Sequence, residues 1–200
     1  MNTELHRHLR QAVSKRHQEL ERQPLLTRLF SHDVTLTQYG DVLAALHGAY
    51  AASEAAVLAY LQRYPGLFDY RPRRKLPALD ADLLSLARAP LPLCAPQPVV
   101  DSVGALVGTL YTLEGSTLGG QVIARLLPPG FPRRFYTVYG KHTARRWEEF
   151  LQFADANCPK PEYDTAATGA IALFASIQSQ LDGAQARLEP QDAQEQGGRP

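Results

Sequence analysis

The chain has 200 residues, enough for one domain and short for two. Lys+Arg 21 against Asp+Glu 20 gives a net charge of +1, which argues against a dedicated nucleic-acid binder. No apolar run reaches the roughly 18 residues of a membrane span, and the start MNTELHRHLRQ has no signal-peptide core, so a cytoplasmic globule is expected.

Helical periodicity runs through the sequence, and no alternating strand pattern with hairpin turns interrupts it. Leu5, Leu9, Val13, His17 and Leu20 share one side of a first helix that ends before Pro24. Pro24 to Ser31 predicts a short second helix. Thr35 and Gln38 form a capping-box pair ahead of a long helix with Tyr39, Val42, Leu43, Leu46, Tyr50, Val57 and Leu61 on its apolar side. Pro65-Gly66 stops it. Residues 67–77 form a basic loop containing Arg71, Arg73, Arg74 and Lys75, and a modest helix follows over 78–88. Pro90, Pro92, Pro96 and Pro98 make a stiff connector to a helix over about 99–127, closed by Pro128-Pro129-Gly130. An amphipathic helix over 141–156 carries Trp147, Phe150, Leu151 and Phe153. Pro161 opens a last helix with Ile171, Phe174, Ile177 and Leu181 at helical spacing. The expected fold is all-α, one domain over residues 1–186 with a polar, disordered tail over 187–200.

The helix over 99–127 contains Gly104, Gly108, Gly115, Gly119 and Gly120. Each glycine costs a helix about 1 kcal/mol relative to alanine, so something must offset the set. Gly104, Gly108, Gly115 and Gly119 fall within about 60° on a helical wheel, with Tyr111 on the same face. Gly120 points elsewhere and with Gly119 makes a soft spot for a kink. A face without side chains admits either a second helix or a flat ligand. A P-loop is excluded, because GSTLGG has no lysine and follows no strand.

His17 sits at the edge of the first helix's apolar stripe, with Glu21 one turn later. A neutral imidazole is a common haem-iron ligand, and a carboxylate on its second nitrogen fixes the tautomer. The bland alternatives are a satisfied core histidine and a solvated glutamate. No H-E-x-x-H, no paired Glu-x-x-His and no G-x-S-x-G is present. Cys94 and Cys158 lie far apart in proline-flanked connectors and make no C-x-x-C.

Taken together, these residues resemble the bacterial haem oxygenases, in particular those associated with bacteriophytochromes. The resemblance spans about residues 5–183. Its most specific part is YTLEGSTLGGQVI over 111–123, similar to the family's kinked distal helix. HQELE over 17–21 is similar to the proximal helix, and PGLF at 65–68 and RWEEF at 146–150 also recur. The resemblance implies a helical bundle that binds haem b as both substrate and cofactor. His17 would be the axial iron ligand with Glu21 beside it. Gly115, Ser116, Gly119 and Gly120 would form the distal, catalytic face. Arg10, Tyr111, Arg125 and Arg146 would contact the propionates or the rim. Where mammalian members carry a distal aspartate, this sequence has Ser116. The implied reaction opens haem to biliverdin, releasing CO and ferrous iron, with O2 and electrons from an external ferredoxin, flavodoxin or reductase. A bacteriophytochrome is an implied bilin acceptor. The Arg71–Lys75 cluster is an expected docking patch for an acidic electron donor. The alternatives are a non-catalytic haem-binding or haem-trafficking protein of the same fold, and a helical thiamin-pathway hydrolase with a nucleophilic cysteine.

Overall fold

The computed structural model describes residues 3–93 and 96–196, with side chains through Arg187. Among these residues there are seven α-helices and no strand. They are α1 (Glu4–Glu21), α2 (Pro24–Thr27), α3 (Leu36–Arg63), α4 (Leu76–Ser85), α5 (Val103–Leu126), α6 (Thr143–Asn157) and α7 (Tyr163–Gln196). The expected α-helical class is therefore found. α7 runs ten residues beyond Ala186, where the polar tail is expected to begin.

Local chemistry starts and stops these helices. The Thr35–Gln38 capping box at the start of α3 is formed in both directions, at 3.0 and 3.2 Å. Ser102 Oγ accepts from the Ala105 amide at the start of α5. Glu162 Oε2 also accepts there, from the Gly104 amide and the Ser102 hydroxyl, which puts a carboxylate at the positive helix end. At the other end Arg133 donates to the carbonyls of Ala124, Leu127 and Pro128, closing α5 from outside.

α7 is the element against which α1, α3 and α5 all pack, with α4 on α3 and α6 on α5. The core is continuous, built from Leu5, Leu9 and Val13 of α1, Tyr39, Val42, Leu43 and Tyr50 of α3, Leu106 and Leu110 of α5, Phe150 of α6 and Leu173, Ile177 and Leu181 of α7. α3 is long and apolar enough to cross a membrane, yet 61% of its most apolar stretch is covered by the rest of the fold. It serves here as a core helix.

The glycine stripe of α5 divides in two. A Cβ built on Gly104 would meet the Glu162 backbone oxygen at 2.8 Å, and one on Gly108 would meet Ala166 C and Ala170 N at 2.8 Å. The first half of the stripe is thus a close helix–helix contact with α7. The second half has no such neighbour. A Cβ on Gly115 touches only Trp147, at 3.6 Å, and one on Gly119 meets no protein atom within 4 Å. This gives opposite expectations for the same substitution. Gly108→Ala forces two backbones apart and should cost about 2–3 kcal/mol. Gly119→Ala should stabilise the ligand-free protein by about 0.5–1 kcal/mol, through helix propensity alone. Chemical denaturation of the two variants checks both signs.

Candidate functional site

His6, Arg10 and His17 lie within about 40° on the wheel of α1. His6 places its ring 6.2 Å from Tyr111 of α5 and 5.9 Å from Trp147 of α6, and Tyr111 and Trp147 stack at 5.5 Å. This aromatic knot joins the first half of α1 to the middle of α5. Beyond it the facing surfaces become exposed. The α1 stripe is buried through Val13, whereas His17 is open. On α5, Leu118, Val122 and Leu126 are exposed along the line that begins at Gly115 and Gly119. α7 underlies both helices: Ala170 O accepts from Thr112, and one turn later Phe174 packs 5.9 Å from the His17 ring. The result is a wedge with α1 and α5 as walls, apolar on the α5 side.

His17 Nδ1 lies 3.3 Å from Glu21 Oε1, with side-chain exposures of 57% and 64%. Nε2 is then the nitrogen available to a metal. No group of three or more His, Cys, Asp or Glu side chains able to hold a metal occurs among the described residues, so any iron here would rely on a single imidazole. The chain fits haem in this respect. It offers one imidazole with a carboxylate 3.3 Å from its Nδ1, a helix face without Cβ atoms at Gly119, and exposed apolar side chains beside it.

The other sequence-predicted residues separate into groups. Tyr111 is in the aromatic knot. Burial raises its phenol above the ordinary range, while the nearby Arg10 guanidinium opposes the shift. Arg125 is exposed in the last turn of α5, beside the open line. Ser116 is half-buried on the flank facing α3. Its hydroxyl donates to Leu113 O at 2.8 Å and accepts from Tyr50 Oη at 3.0 Å. Thr117 likewise donates to Glu114 O. Consecutive hydroxyl back-bonds of this kind bend helices.

Three expectations need correction. Gly120 is not on the open face, because Tyr136 fills the space beside it, with Cδ1 and the backbone oxygen 3.3 Å from a built Cβ. Arg146 does not reach the wedge either. It bonds Glu149 at 3.1 Å, and its carbonyl accepts from Arg73 on the far side of α5. The basic cluster at 71–75 is mostly internal. Arg73 and Lys75 are buried, Arg74 is paired with the buried Glu54 at 3.1 Å, and only Arg71 is left exposed. A docking patch cannot be built from side chains consumed inside.

What that cluster does instead was not visible from the sequence. Glu114, on the α5 face turned from the wedge, has no exposed surface. It accepts from Arg73 Nη1 at 2.9 Å, from Tyr139 Oη at 2.9 Å and from Lys75 Nζ. Burial pulls the Lys75 ammonium below its ordinary value, and Glu114 pushes it back. Glu54 of α3 accepts from the Lys75 and Leu76 amides, Arg74 and Tyr70. A charge run reads as a solvated loop unless the carboxylates that receive it are known, and these lie 20 and 40 residues away. The glutamate inside an otherwise apolar helix was the available signal.

Cavities of about 390 Å³, lined by Leu36, Leu86, Pro132 and Thr137, and about 200 Å³, lined by Gln97, Ala172 and Ser176, lie away from His17 and Gly119. Cys158 is buried, and burial with Glu162 and Asp155 nearby pushes its thiol up to about 11. It is a poor nucleophile, which removes this cysteine from a thiol-hydrolase reading. Cys94 lies outside the described residues.

Two outcomes follow from these groups. At pH 8, iodoacetamide should label Cys158 only after denaturation, as read by peptide mapping. Burial pushes the Tyr50 phenol up to about 12, against about 10 when unfolded. Its contribution to stability is therefore complete below about pH 10 and is lost as pH rises through about 12. Tyr50→Phe should flatten the stability–pH curve in that window, measured by denaturation at fixed pH values.

No family model matches the chain. It is 34% identical over 154 residues to the heme oxygenase of Xanthomonas campestris pv. campestris (strain 8004), a match that covers 72% of this chain and 88% of that relative. Its fold is similar to that of heme oxygenase-1 from the cyanobacterium Synechocystis sp. PCC6803, solved in complex with heme, with a TM-score of 0.71, 16% identity and 96% of each chain covered. It is also similar to the heme oxygenase from Leptospira interrogans, with a TM-score of 0.69, 15% identity and coverage of 90% of this chain and 98% of that one. At those identities the two structures speak for a shared architecture, and the Xanthomonas relative carries the family assignment: the chain belongs to the haem oxygenase family.

Proposed function

We propose that this protein is the enzyme that opens haem oxidatively to biliverdin, with release of CO and ferrous iron, and that the wedge between α1 and α5 is where it does so. The observation that carries the reading is the side-chain-free face of α5 at Gly119, next to open apolar side chains and sharing the α7 floor with the His17–Glu21 pair. Bound haem supplies both the iron that activates oxygen and the ring that is oxidised.

The protein's own work is positioning. His17 Nε2 would hold the iron, and Glu21, 3.3 Å from Nδ1, would accept from Nδ1–H, which would fix the tautomer and make the imidazole a better donor. Phe174 supports the ring from below. On the α5 side, Gly115 and Gly119 let the backbone approach the ligand face, while Leu118 and Val122 keep bulk water from it. Arg10, beside Tyr111, is suited to the propionates, and Arg125 stands at the rim.

Ser116 and Tyr50 are the polar pair nearest this face. Ser116 spends its proton on Leu113 O, and Tyr50 spends its own on Ser116. The pair's remaining lone pairs are acceptors, so it would suit an ordered water beside the ligand face. That arrangement does the task of a distal carboxylate without a charge at this position.

Electrons come from an external ferredoxin, flavodoxin or reductase. The protein acts in the cytoplasm, with haem b as the ligand and a bacteriophytochrome as one acceptor of the bilin. A haem carrier of the same fold is not favoured, given the relative named as the enzyme.

Adding haem and then a reductant under air tests the reading. The wild-type protein should form a Soret band and then lose it to a bilin absorption, whereas a persistent Soret band would mark a carrier. His17→Ala should lower turnover by at least about 100-fold, with recovery in added imidazole. Gly119→Leu should abolish turnover, because its side chain fills the ligand face; full activity would contradict the placement.

A further inference from the structure

The charged cluster behind α5 is more elaborate than stability requires. Filling the same space with apolar side chains serves stability equally well or better. What ionic partners add is a fixed separation between the groups they join. Their placement is specific here. Glu54 lies one turn after Tyr50 on α3, and Glu114 lies two residues before Ser116 on α5. Lys75 contacts both carboxylates, with its backbone amide on Glu54 and its Nζ on Glu114. Tyr139 adds a second hold on Glu114 and accepts from Lys75 Nζ at 2.8 Å. Arg73 ties the same carboxylate to Glu149 of α6. One turn earlier on the same face of α3, Tyr50 bonds Ser116 of α5 directly.

We propose that Lys75 is a positioning residue for the reaction: through Glu54 and Glu114 it clamps α3 to α5 and so sets the Tyr50–Ser116 bond at the ligand face. The proposal rests on the haem-cleaving reading of the wedge. Lys75 touches no reacting atom. It acts by keeping segment 113–120 of α5 in one register, so that the Ser116 hydroxyl stays within reach of Tyr50. Without the clamp, the hydroxyl back-bonds and the paired glycines leave that segment several near-equal arrangements.

The test compares the unaltered chain with Lys75→Met, Tyr139→Phe, Ser116→Ala and the Lys75→Met/Ser116→Ala pair. In the haem-free protein, amide exchange over 113–120 is read by mass spectrometry. In the ferric haem complex, the pH midpoint of the visible spectrum is read. Lys75→Met should speed exchange over 113–120 about tenfold while leaving 166–181 within about twofold, and it should displace the midpoint. The double variant should show the midpoint of Ser116→Ala alone, because Lys75 acts through that hydroxyl. An unmoved midpoint in Lys75→Met, or a double variant in which both shifts add in full, overturns the proposal. If Lys75→Met does not fold, Tyr139→Phe, which removes hydrogen bonds but no charge, decides by the same criteria. If the unaltered chain takes up no haem, the function reading fails, and the exchange comparison still decides the clamp.

Discussion

α5 must bring bare backbone against a partner on one line of its surface and still persist as a helix. A 24-residue helix with five glycines has weak intrinsic stability, and it is held from outside at every stage. Glu162 and Ser102 cap its start, Arg133 closes its end, and Glu114 anchors its middle to Arg73, Lys75 and Tyr139. The close approach of α7 at Gly104 and Gly108 supplies packing where the glycines would otherwise only cost. With the helix so fixed, Gly119 can be left uncovered.

This division reconciles the two readings that the glycine pattern allows. Gly104 and Gly108 are packing glycines, for which the bland explanation holds. Gly115, touched only by Trp147, and Gly119, with nothing near it, continue the same line to where the proposed ligand would lie. A single helical face thus has two uses along its length, and the boundary falls at Tyr111, where the aromatic knot ends the contact with α1.

The helices and their starts were legible in the sequence because their causes are local. Pro24, the Thr35–Gln38 box, Pro65-Gly66 and Pro128-Pro129-Gly130 act within a few residues of themselves. His17 and Glu21 were legible for the same reason, being one helical turn apart. The polar architecture behind the site was not. Glu114 draws on Arg73, Lys75 and Tyr139, and Tyr50 meets Ser116 across 66 residues. Nothing in the spacing of such residues reveals that they converge. Arg146 and the basic cluster were misplaced for the converse reason: a cation looks solvent-facing until the anion that claims it is located.

The way α1 and α5 part company also bears on how a ligand arrives. They are joined at one end by His6, Tyr111 and Trp147 and share α7 beneath, while His17 and Gly119 lie on surfaces already accessible. A planar molecule bound at the proposed site would meet surfaces that are exposed before it arrives. Uptake then needs no breathing of the core, and the encounter rate is governed by diffusion and orientation.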